Sequence, residues 1–140
     1  MKRQATKEEQ IIALKECHYN QQKVITIAET LQRARNASVK SLSYSYTGKN
    51  NQKSCAGLDI IVSKIDEIER QLSKQLELYL NQLEIIIDLI EGTSDYWEKL
   101  IIAMKYIDGL PYCKIAKQLD MSERTAKTLC KRTLERLGLL

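Results

Sequence analysis

Residues 111–140 read PYCKIAKQLDMSERTAKTLCKRTLERLGLL, and this stretch decides the fold. Its apolar spacing predicts two short helices crossing at a tight turn. Ile115 and Leu119 face inward on the first, and Ala116 is small because the second helix crosses close against it. Pro111 suits a helix start, where its missing N–H costs nothing. Asp120 falls where the chain turns sharply, and Asp tolerates a left-handed conformation better than most residues. Met121 plugs the turn and Ser122 caps the second helix, which runs to about Leu137 before Gly138.

On that second helix Ala126, Leu129, Cys130, Thr133 and Leu137 share one face at a period of 3.6 residues. Arg124, Lys127, Thr128, Lys131, Arg132 and Glu135 are left on the other. One face is therefore core and the other basic, the division a recognition helix needs: residues near its start reach base edges, and later Lys and Arg meet phosphates. The candidate DNA-contacting residues are Ser122, Arg124, Lys127, Thr128, Lys131 and Arg132.

The net charge of +4 is informative through its position. Residues 1–91 carry 13 Lys/Arg against 12 Asp/Glu, residues 92–110 carry 2 against 3, and residues 111–140 carry 7 against 3. The whole excess sits in the last segment, which marks it as the end that faces a polyanion.

Working back along the chain, Gly92-Thr93-Ser94 breaks the preceding pattern, and Ser94 or Thr93 is placed to cap a helix over about Asp95–Ile107. Trp97, Leu100, Ile101 and Met104 share a face there, with Trp97 as the expected core anchor, and the helix stops at Asp108-Gly109. Upstream lie two long helical patterns. The first, about 8–35, has no Gly or Pro and carries Ile11, Leu14, His18, Gln21, Ile25, Ala28 and Leu31 at spacings of three and four. The second, about 58–91, carries Leu58, Ile61, Ile65, Ile68, Leu72, Leu76, Tyr79, Leu83, Ile86 and Ile90, a heptad pattern with one extra residue near Leu76. Between them NASVKSLSYSYTGKNNQKSCAG (36–57) lacks a sustained period and reads as a flexible connection in which Val39, Tyr44 and Tyr46 are solvated.

The expected class is all-α: a long N-terminal helical hairpin or coiled coil over 1–91, with a linker at about 36–57, followed by a helix-turn-helix domain over 92–140. Scarce Gly and Pro agree with it.

The span Leu100 to Leu137, and above all YIDGLPYCKIAKQLDMSERTAKTLCKRTLERL, resembles the fourth conserved region of sigma factors and related regulators. The wider layout of hairpin, Ser-rich linker and C-terminal module resembles small phage and prophage regulators of the ArpU-like kind. The resemblance implies contact with double-stranded promoter DNA in the major groove through Arg124, Lys127, Thr128 and Lys131, and contact with RNA polymerase. No segment offers the aromatic cluster that full sigma factors use to melt promoter DNA.

Other classes find little support. Cys17, Cys55, Cys113 and Cys130 are far apart, with no CxxC pair and one histidine, so no metal or cofactor is expected. His18 stands alone, no Gly-rich phosphate loop exists, and no nucleophile has a readable base, so an enzyme is not expected. No apolar run is long enough to span a bilayer and the start lacks a signal-peptide core, so a cytoplasmic protein without membrane contact is expected. A homodimer or higher homo-oligomer is expected from the long helices, because one small module buries little surface on DNA. The rival reading is a coiled-coil adaptor that docks on RNA polymerase or another protein without reading DNA.

Overall fold

The computed structural model describes residues 4–47 and 51–140, with side chains given outside 40–56 and 58. The chain is all-α, with no strand among the described residues. Among the described residues five α-helices follow in order: α1 (Lys7–Thr47), α2 (Asn51–Glu91), α3 (Tyr96–Ile102), α4 (Tyr112–Leu119) and α5 (Glu123–Arg136).

α1 opens with a reciprocal cap. Thr6 Oγ1 accepts from the Glu9 N–H and the Glu9 carboxylate accepts from the Thr6 N–H, both at 3.3 Å, which satisfies two donors that a helix start leaves without partners. α1 then extends through residues 36–47 and α2 begins at Asn51, so much of the stretch expected as a connection is helical backbone. Ser and Asn lower helix propensity by only tenths of a kcal/mol each, and no Gly or Pro interrupts α1 before Gly48. Val39 is exposed, as expected, whereas the side chains of Tyr44, Tyr46, Cys55 and Leu58 lie outside the described residues.

The chain forms two compact units. One is the middle of the helical pair, Gln21–Glu77, where Leu31 is buried and Arg35 pairs with Glu69 at 2.8 Å. The other joins Met1–Asn20 to Leu78–Leu140. Its core draws Ala13, Leu14 and Cys17 from α1, Ile86 and Leu89 from α2, and Ile101, Ile102, Ile115, Ala116, Ala126, Cys130 and Leu134 from the three short helices. The small C-terminal helices are thus completed by the first turns of α1 and the last turns of α2.

The buried stripes differ from the expected ones in instructive places. On α1, Cys17 and Asn20 are buried while Ile25 and Ala28 are exposed. On α2, the sheltered positions run Ile61, Ile65, Ile68, Leu72, Gln75, Tyr79, Gln82, Ile86 and Leu89, an unbroken alternation of four and three. The interruption expected at Leu76 is not present, because the polar Gln75 and Gln82 occupy inward positions and Leu76 lies outside. Asn20 Nδ2 donates to Gln82 Oε1 at 2.6 Å, so the seam carries a buried amide pair where sequence patterning expects hydrocarbon.

His18 serves the C-terminal turn. A Cβ on Gly109 would stand 2.5 Å from the imidazole ring, so the ring rests on the glycine. Gly109 has φ +69°, a second reason for glycine there.

Trp97 is not the core anchor: it is 46 % exposed and stacks edge-on with Tyr96, their centroids 5.9 Å apart. The buried face of α3 is Glu98, Ile101 and Ile102. At about 100° per residue, Trp97 sits about a quarter turn off that face. The cap of α3 is Asp95, whose carboxylate accepts from the Trp97 N–H at 3.1 Å. Thr93 instead closes α2, its buried hydroxyl donating to the Leu89 carbonyl at 3.0 Å. After Ile102 the helix widens into a π-helical turn, Ala103–Ile107, ended by Asp108 N–H donating to the Ala103 carbonyl at 3.1 Å.

Candidate nucleic-acid interface

α4 starts where Pro111 permits. Its carbonyl accepts from the N–H groups of Lys114 and Ile115 at 3.1 Å. Ile115 and Ala116 of α4 and Ala126 of α5 are buried in the same core.

The turn between them is fixed by its backbone. Asp120 adopts φ 53° and ψ 51°, and the next N–H, of Met121, returns to the Ala116 carbonyl at 3.0 Å, the six-to-one closure that ends a helix in a left-handed residue. Ser122 is then extended, and its Oγ accepts from the Thr125 N–H at 3.1 Å and lies 2.6 Å from Thr125 Oγ1. The Ser122 hydroxyl is committed to starting α5.

α5 divides as its period requires. Ala126, Cys130, Thr133 and Leu134 are buried, and Thr133 hides its hydroxyl by donating to the Leu129 carbonyl at 2.7 Å. Leu129 and Leu137 are half-buried. Arg124, Lys127, Thr128, Lys131 and Arg132 are all exposed on the opposite side, and Ser122 before them is exposed as well. Arg124, Thr125, Thr128, Leu129 and Arg132 line a shallow cleft of about 280 Å³ that places two guanidinium-bearing side chains around two hydroxyls. Thr128 Oγ1 donates to the Arg124 carbonyl at 2.9 Å, which leaves its oxygen open as an acceptor.

Two residues of this surface carry no sequence signal. Tyr112, half-buried at the start of α4, has Lys105 Nζ 4.2 Å from its ring centroid and Lys127 Nζ at 5.9 Å. The ring thus holds a lysine of the π-helical turn beside one of α5, through cation–π attraction. Lys127 is also within 3.6 Å of Glu123, one turn earlier. Burial, and then the hydrogen bond with Cys130, push the Tyr112 phenol up to about 12, so it remains neutral between the two cations. No periodicity in residues 103–112 announces this stack, because it depends on the π turn.

The positively charged face, the left-handed turn and the capped second helix lie within a segment that a known family describes. Residues 98–137 match the family model for Sigma-70, region 4. Neither curated proteins nor solved structures give a match. The region 4 segment begins at Glu98 on α3 and ends just past α5, so it takes in the π turn, both crossing helices and an ion pair from Glu98 to Arg136. The C-terminal helices are a helix-turn-helix of the sigma region 4 kind, a DNA-binding regulatory module. No helix among the described residues is long and apolar enough to cross a membrane, and no group of His, Cys, Asp or Glu among them is arranged to hold a metal.

Proposed function

We propose that this protein is a sequence-specific DNA-binding transcriptional regulator of phage or prophage type. It acts without covalent chemistry, by positioning RNA polymerase or by occupying a promoter. The observation that carries this reading is the exposed basic face of α5 inside a region 4 helix-turn-helix. Arg124 and Thr128, near the start of α5, read base edges in the major groove. Lys127, Lys131 and Arg132 meet phosphates, joined by Lys105 through its stack on Tyr112. Ser122 contributes by fixing the helix start. Residues 92–140 read DNA and residues 1–91 pair two copies, so that two weak contacts add on paired half-sites.

The test is retention of genomic DNA fragments by the purified protein at two salt concentrations, with sequencing of what remains bound. One enriched motif and a steep loss with salt are expected. Lys127→Ala and Lys131→Ala should each lower the salt slope by about one charge. Retention that responds weakly to salt, or no retention at low salt, overturns the reading in favour of docking on a protein.

A further inference from the structure

The last three turns of α2 carry more apolar surface than the core covers. Between residues 78 and 90 the chain reads LYLNQLEIIIDLI, apolar except for Asn81, Gln82, Glu84 and Asp88. The core takes Ile86 and Leu89 and shelters Tyr79, Leu83, Ile85 and Ile90 in part. Leu78, Leu80 and Ile87 remain 43 %, 50 % and 40 % exposed. At about 100° per residue, Leu80 and Ile87 fall on one line next to Leu83 and Ile90. Beside that line run Glu84, Asp88 and Glu91, and residues 78–91 contain no Lys or Arg. Leu78 lies on the far side of the acidic line.

We propose that this face docks a basic amphipathic helix of another protein, with leucine-like side chains over Leu80 and Ile87 and lysines or arginines over Asp88 and Glu91. Charge selects that occupant. A second copy pairing through the same face would bring Asp88 and Glu91 of one copy against those of the other, which is unfavourable where the apolar ridge is dry. A basic helix matches both the ridge and its border. The inference does not depend on what α5 binds, since it concerns a different helix and a different charge.

The test uses the full-length protein and two synthetic helical peptides. One carries leucines at heptad positions bordered by lysines, the other glutamates in place of the lysines. Fluorescence anisotropy should show binding of the lysine peptide alone. The affinity should fall about tenfold or more in the Leu80→Ser/Ile87→Ser variant and in the Asp88→Asn/Glu91→Gln variant. Circular dichroism confirms that the variants, changed only at the surface, remain folded. Equal binding of both peptides, no binding, or an affinity unmoved by either double variant would overturn the proposal. So would sedimentation equilibrium in which Leu80→Ser/Ile87→Ser converts a dimer into a monomer, because a second copy would then be the occupant.

Discussion

Glu98, 3 % exposed at the start of α3, holds the guanidinium of Arg136 from the last turn of α5. A carboxylate buried this deeply depends on its partner, and the pair ties together the two ends of the helix-turn-helix. Arg136→Ala leaves the charge without compensation. The loss should be about 3 kcal/mol, the low end for breaking a buried pair, because the Arg136 side chain is half-exposed. The Glu98→Leu/Arg136→Leu variant should recover most of it. Urea denaturation of the two variants against the parent measures both.

Gly109→Ala should be costly for two separable reasons. The left-handed backbone costs a non-glycine residue about 1–2 kcal/mol, and the new methyl would enter the His18 ring, an overpacking cost of about 1–3 kcal/mol. His18→Ala in the same chain should relieve the second part and leave the first. A double-mutant cycle on thermal midpoints separates them.

The buried amide pair of Asn20 and Gln82 is expected to behave asymmetrically. Gln82 also donates to the exposed Glu16 at 3.4 Å, which water can serve instead, but its replacement by Leu leaves the buried Asn20 amide without a partner. A loss of about 1–3 kcal/mol follows for Gln82→Leu. Asn20→Leu/Gln82→Leu should lie closer to the parent than the single variant does. Equal midpoints for the single and double variants in urea would contradict this account.

Tyr79, Tyr106 and Tyr112 should titrate late. Burial is the first cause for Tyr79, Tyr106 and Tyr112, with Cys17 and Asp108 adding to it at Tyr79 and Cys130 adding to it at the other two. A phenol whose folded value is raised stabilises the fold fully below its unfolded value and loses that contribution as pH climbs to the folded one. For Tyr112 the window is from near 10 to about 12. Stability should therefore fall across that range, less so in Tyr112→Phe. Absorbance at alkaline pH should show a lagging group of tyrosines that joins the rest on unfolding.

The helix-turn-helix was legible because its signals are local. Pro111, Asp120 and Ser122 each act on the backbone within a few residues, and the period of α5 separates core from basic face without knowledge of anything distant. Trp97 and Leu76 misled for the opposite reason: size and hydropathy set a prior for burial, and the packing partners from α1 and α2 decided the outcome. Glu98 is the clearest case, an acid whose burial rests on an arginine 38 positions away. Lys105 and Tyr112 were out of reach because a π-helical turn shifts register where the sequence shows only ordinary helix formers.

Ala13, Leu14 and Cys17 belong to the same core as Ile115 and Leu134, and a Cβ on Gly138 would come within 3.0 Å of Lys7 Nζ. The first turns of α1 are therefore finished only when α4 and α5 have left the ribosome. At roughly 5–20 residues per second, α1 waits on the order of ten seconds with its apolar side uncovered. An arrest of translation before α5 therefore leaves Ala13, Leu14 and Cys17 without the side chains that bury them, so a truncation at one end of the core is felt at the other.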